Sequence, residues 1–150
     1  MSLFETRPET VACRLTASLA LMRISLGAFF LVWAIMKFVV PKTNIAIFNK
    51  FYGLNVDAEI SMVFGAAEAV LAVLVMIGLW RTWSYGVAVL VHGFSQSASW
   101  RETLDPWALY LNDSPKLLFW AGVPVLAALI ALWLLRDQDR WSVDGRRPAD

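Results

Sequence analysis

Tyr85-Gly86-Val87-Ala88-Val89-Leu90-Val91-His92-Gly93-Phe94-Ser95-Gln96-Ser97-Ala98-Ser99 opens as an apolar helix and turns polar before it has crossed a bilayer's width. At about 100° per residue, Tyr85, His92, Ser95, Gln96 and Ser99 fall on one stripe. That stripe cannot face lipid, where unsatisfied polar groups cost several kcal/mol. It faces other helices or a wet cavity, and the rest of the chain has to cover it.

The cover comes from three further apolar runs. The chain has 150 residues, one domain's worth, of which 59% are hydrophobic, and its mean hydropathy is +0.58. A soluble core of this size cannot hide so much apolar side chain, which places the chain in the membrane class. A net charge of +1 without any basic run excludes nucleic acid as a partner. The single cysteine, Cys13, allows neither an internal disulfide nor a thiolate cluster. The single histidine, His92, excludes multi-histidine haem and zinc sites, so no metal site and no intrinsic cofactor is expected.

The spacing predicts an all-α fold, a four-helix transmembrane bundle with short interfacial helices in its two outer loops. Spans are expected at about 17–40, 60–80, 83–99 and 117–135, with 1–16 a cytoplasmic N-terminal segment, 17–135 the membrane domain and 136–150 a cytoplasmic tail. The first run is too long for a cleaved secretory signal. It carries Arg23 and Lys37 on one helical face with Gly27, Phe30 and Ala34, and Pro41 ends it. Thr43 or Asn44 is placed to cap a short surface helix that Gly53 stops. Asp57 caps the second span, where Glu68 shares a face with Ser61, Gly65 and Ala72, the small residues that let helices approach closely.

Arg81-Thr82 reads as a tight turn into the third span. Asp105-Pro106 reads as the start of a second surface helix through Trp107, Tyr110 and Leu111. The fourth span has no ionisable residue, and Gly122 and Pro124 mark a kink in it. Arg136 to Arg140 marks the membrane exit, and Arg146 to Asp150 a mobile end. With both termini cytoplasmic, seven cations (Arg7, Arg14, Arg81, Arg136, Arg140, Arg146, Arg147) lie inside against four (Lys42, Lys50, Arg101, Lys116) outside, so the positive-inside rule selects that orientation, in the plasma (inner) membrane.

In this topology Lys37, Glu68, His92 and Gln96 reach the outer half of the bundle, where they are expected to form one polar pocket. Arg23 is expected to snorkel to the inner interface. A carboxylate, an imidazole and an ammonium converging in low dielectric have coupled protonation states. Such a group suits a polar head such as a quinone ring, or a proton relay. A Lys37–Glu68 ion pair or a Glu68–His92 hydrogen bond that merely fixes helix register accounts for the same residues.

Leu21-Met22-Arg23-Ile24-Ser25-Leu26-Gly27 followed by Met36-Lys37-Phe38, with Phe64-Gly65-Ala66-Ala67-Glu68 and Ile77-Gly78-Leu79-Trp80-Arg81, resembles the DoxX-like family of integral membrane proteins over residues 17–135. The resemblance implies a four-helix membrane bundle, associated in some relatives with thiosulfate:quinone oxidoreduction or with accessory roles beside oxidoreductases. Arg23, Lys37 and Glu68 match the family's positions. His92 and Gln96 rest on the helical-face argument alone, in a span more polar than the family pattern.

Three kinds of function suit these residues. The first is a subunit of a membrane redox system with a quinone-like ligand, supplied with electrons by a membrane or peripheral oxidoreductase partner. The second is a non-catalytic assembly or docking protein of the bilayer. The third is a small proton- or ion-conducting homo-oligomer.

Overall fold

The computed structural model describes residues 8–110 and 114–146. Among these residues the chain is helical, without strands, and three helices are long and apolar enough to cross a membrane: α1 (Pro8–Val39), α3 (Ala58–Ile77) and α6 (Leu117–Leu134). Between them stand α2 (Pro41–Ile47), continued by one π-helical turn over Phe48–Tyr52, then α4 (Arg81–Ala98) and α5 (Trp100–Leu104).

Helix α1 is already formed at Pro8, the first described residue, so no break separates an N-terminal segment from the span at residue 17. The reason is local: Glu9 to Thr16 contain neither Gly nor a second Pro to stop a helix. Its 32 residues reach about 48 Å at 1.5 Å per residue, well beyond a hydrocarbon core of about 30 Å.

Helices α1 and α3 run antiparallel at close range. A Cβ built on Gly27 would stand 2.9 Å from the Ala72 carbonyl oxygen, and one on Gly65 would stand 3.0 Å from Lys37 Cβ. Helices α4 and α6 form the second antiparallel pair, joined by His92 to Gly122 and by Gln96 to Phe119. Leu19, Leu26, Phe30, Val75, Tyr85 and Leu129 fill the space between the pairs. Backbones this close gain van der Waals contact, which is what holds apolar helices together when no water is present to drive them.

The caps follow sequence chemistry in part. Asp57 accepts the Ile60 amide at 2.8 Å, as expected of a cap, and Gly53 ends the π-turn at φ +65. Neither Thr43 nor Asn44 caps α2. Pro41, whose missing amide costs nothing in a first turn, starts it instead, and Asn44 is buried, donating to Ser61 Oγ at 2.7 Å.

The α3–α4 turn is not at Arg81-Thr82 but three residues earlier. Gly78 enters the left-handed region at φ +68 and the Leu79 amide reaches back to the Leu74 carbonyl, a closure that leaves Arg81 in the first turn of α4. The expected helix after Asp105-Pro106 is absent as well. Ala108 takes φ +57, and the Asp105 carboxylate accepts the Leu109 and Tyr110 amides, so this aspartate closes a turn and the short helix lies upstream as α5. Leu111 lies outside the described residues.

Helix α4 is amphipathic with its polar side turned in. Ser84, Tyr85, Ala88 and His92 are buried, whereas Leu90 and Phe94 are exposed. The stripe read from the sequence therefore does face other helices, with the exception of Ser95, which points out.

Candidate functional site

Lys37 and Glu68 meet on the α1–α3 seam. Gly65 brings the backbones close enough for the ammonium to bond Glu68 Oε2 directly, and the same Nζ donates to the Trp33 carbonyl at 3.3 Å. Their side chains are 11% and 15% exposed. A pair this withdrawn from water is screened little by salt, and its energy depends on both partners being present.

His92 and Gln96 lie on the other seam. His92 Nε2 donates to the Gly122 carbonyl at 3.0 Å, with its ring edge-on to Phe29 (5.5 Å, 82°) and Phe30 (6.3 Å, 76°). Gln96 Nε2 donates to the Phe119 carbonyl at 2.9 Å and to Thr103 Oγ1. Gly122 makes room for this, because a Cβ there would collide with Gln96 Oε1. Beside Gln96 an apolar groove opens between α4, α5 and α6, walled by Gly93, Trp100, Leu104 and Leu126.

The four residues expected in one pocket thus fall into two sets, with no hydrogen bond or ion pair joining Lys37 or Glu68 to His92 or Gln96. Helical periodicity gives the face a residue occupies but not which neighbour sits against it. Here α4 pairs with α6 rather than with α3 along its length, and the Phe29 and Phe30 rings stand on the α1 side of His92.

Arg23 does not snorkel. It is 5% exposed and its guanidinium is held inside the protein: Nη1 donates to the Met76 carbonyl at 2.5 Å, Nη2 to the Trp141 carbonyl at 3.4 Å, and Nε stands 3.2 Å from Asp139 Oδ2. One of its fork positions thereby satisfies the carbonyl end of α3, where a cation is favoured by the helix dipole. Asp139 is the residue that sequence reasoning missed. It is fully buried and accepts the Tyr85 hydroxyl at 2.8 Å. The signal was the polar stripe itself, which runs down to Tyr85 and requires a partner there.

Asp139 belongs to a strap, residues 136–146, folded back over the hairpin end of the bundle. Arg81 donates to the Arg136 and Asp139 carbonyls at 2.6 and 3.1 Å, the Val143 and Asp144 amides bond the Ile77 and Gly78 carbonyls, and Asp144 Oδ2 accepts the Arg81 amide at 2.9 Å. Arg146, expected in a mobile end, closes a short 3-10 turn; residues 147–150 lie outside the described residues.

Chemically, the charges inside the apolar helices are paired, and along the inward side of α4 Tyr85 is spent on the Asp139 carboxylate, His92 on a carbonyl, and Gln96 on a carbonyl and Thr103. Among the described residues no three of His, Cys, Asp and Glu gather as a metal would need. No family model, curated protein or solved structure matches the chain.

Proposed function

We propose that this chain is a four-span integral membrane protein of the DoxX-like type, with both termini on the cytoplasmic face of the plasma (inner) membrane. It serves a membrane redox system as an accessory that docks an oxidoreductase, rather than as the catalyst. The observation that carries this reading is that Lys37, Glu68, His92 and Gln96 each engage a neighbouring helix within the chain. They act as ties between helices. The inverted amphipathicity of α4, polar inward and apolar outward, supports its being the fourth span. All three charged positions of the family resemblance tie α1 to α3, Lys37 through Glu68 and Arg23 through the Met76 carbonyl.

The test is purification from native membranes followed by native mass spectrometry and an absorption spectrum. The accessory reading expects a stoichiometric partner that carries flavin, haem or iron–sulfur absorption, retained by the double variant Lys37→Met/Glu68→Met. A chain that arrives with neither cofactor-bearing partner nor partner-dependent activity defeats it.

A second reading keeps the quinone-like ligand and rests on the groove beside Gln96, whose apolar walls, Trp100 ring and amide suit a lipid-borne ring entering sideways from the bilayer. Lipid extracts containing a quinone that is lost on Gln96→Leu would favour it over the first.

A further inference from the structure

We infer that the hairpin end of the bundle is an anion-binding cradle for a phosphate or carboxylate group, occupied in this structure by the chain's own strap. With the strap in place, Arg23 and Tyr85 receive the Asp139 carboxylate, and Arg81 with the first amide of α4 receives the strap's carbonyls and Asp144. Every one of these cradle groups is a donor, and two are permanent cations. The strap sets two carboxylates against them, Asp139 on Arg23 and Tyr85 and Asp144 on the Arg81 amide. Lifted away, it leaves two guanidinium groups, a phenol hydroxyl and the N-terminal turn of an 18-residue helix facing the same space, a donor set that suits an oxyanion.

Two features indicate that Asp139 is a replaceable occupant rather than a perfect fit. Its Oδ1 is buried with no hydrogen-bond partner, and Arg23 Nε, although 3.2 Å from Oδ2, makes no hydrogen bond either. A carboxylate presents two oxygens and uses one here. The oxygens of a phosphate are arranged tetrahedrally rather than in one plane, so they can meet Arg23 Nε as well, and a buried donor left unsatisfied is a standing cost that a better ligand removes. The strap is also tied down mainly by contacts to the cradle and to the α3–α4 turn, so displacing Asp139 and Asp144 releases it as a unit. The phosphate can come from a lipid headgroup at the membrane surface or from solution.

The strap's state is readable without a reporter mutation, because Arg140 lies within it with an exposed side chain, and trypsin cuts there only when the local backbone opens. The full chain is placed in phosphatidylcholine nanodiscs and cleavage after Arg140 is followed by intact mass. Slow cleavage is expected in the parent, faster by at least about tenfold in Asp139→Asn, since the strap then lacks its buried charge. In the parent, inorganic phosphate or incorporation of phosphatidylglycerol should accelerate cleavage relative to chloride at matched ionic strength. Acceleration by phosphate identifies a free anion as sufficient, and acceleration by phosphatidylglycerol alone identifies the headgroup. Should Asp139→Asn fail to fold, Tyr85→Phe, which keeps the ring and removes one donor, should raise cleavage in the same sense by a smaller factor. Parent cleavage that is the same in chloride, phosphate and phosphatidylglycerol overturns the inference and makes the strap a fixed part of the fold.

Discussion

Arg23 Nε lies 3.2 Å from Asp139 Oδ2, and neither side chain is more than 6% exposed. The first helix and the last described segment are thereby joined through the interior. Removing one partner of a buried ion pair strands the other charge, at a cost of roughly 3–5 kcal/mol, whereas removing both costs much less. Arg23→Met should therefore destabilise the protein by about that amount. Asp139→Asn, which still accepts from Tyr85, should cost less, and Arg23→Met/Asp139→Asn less than the sum of the two. A double-mutant cycle on detergent-solubilised protein, read by thermal unfolding, checks this; simple additivity would show that the pair contributes nothing.

Gly78 and Gly53 share a left-handed backbone but not a neighbourhood. At Gly53 (φ +65) nothing stands within 4 Å of a built Cβ, while at Gly78 (φ +68) Ser142 Cβ stands at 2.4 Å and the Tyr85 hydroxyl at 2.9 Å. Gly53→Ala should cost only the left-handed penalty, about 1–2 kcal/mol. Gly78→Ala should cost more and should also push the strap off, seen as faster tryptic cleavage after Arg140. Equal effects at the two sites would mean that the strap does not pack on the turn.

The inward polar stripe of α4, the Asp57 cap, the Gly53 stop and the small-residue face of Glu68 follow from periodicity and local chemistry, and the structure has them. The grouping of Lys37 and Glu68 apart from His92 and Gln96 does not follow, because a face says nothing about which neighbour fills it. The Arg23–Asp139 contact was out of reach for a related reason. A run such as Arg136-Asp-Gln-Asp-Arg140 reads as a solvated exit on composition, and only the fold-back of the strap makes one of its aspartates interior. The turn at Gly78 is written in that glycine, whose left-handed backbone ends α3 before Arg81 is reached.

Gly27 and Gly93 should respond to alanine with opposite signs. A Cβ on Gly27 meets the Ala72 carbonyl oxygen at 2.9 Å and Met76 Cγ at 2.3 Å, while one on Gly93 first meets Leu126 Cδ1 at 3.7 Å, an ordinary contact. The methionine can move; the α3 backbone cannot without separating from α1. Gly27→Ala should cost about 1–3 kcal/mol by overpacking. Gly93→Ala should be neutral or stabilise by up to about 1 kcal/mol, from the helix propensity of alanine. Unfolding midpoints of the two variants measured side by side decide it, and a stabilising Gly27→Ala would show that α1 and α3 are not in close contact there.

Lys37 and Glu68 offer the sharpest division between a tie and a working site, because a tie is indifferent to what replaces it provided both members change. Lys37→Met alone leaves a carboxylate among apolar helices, and Glu68→Met alone leaves an ammonium; each should cost roughly 3–5 kcal/mol. The double variant Lys37→Met/Glu68→Met removes both charges and fills the same space, so it should recover most of that stability and keep whatever the protein does. A group that passes protons or holds a ligand behaves otherwise: the double variant would fold as well as the parent and still lose function. Measuring unfolding and the retention of the cofactor-bearing partner on the same preparations separates the two. Recovered stability with the partner retained makes the pair architectural, and recovered stability with the partner lost makes it part of the interaction itself.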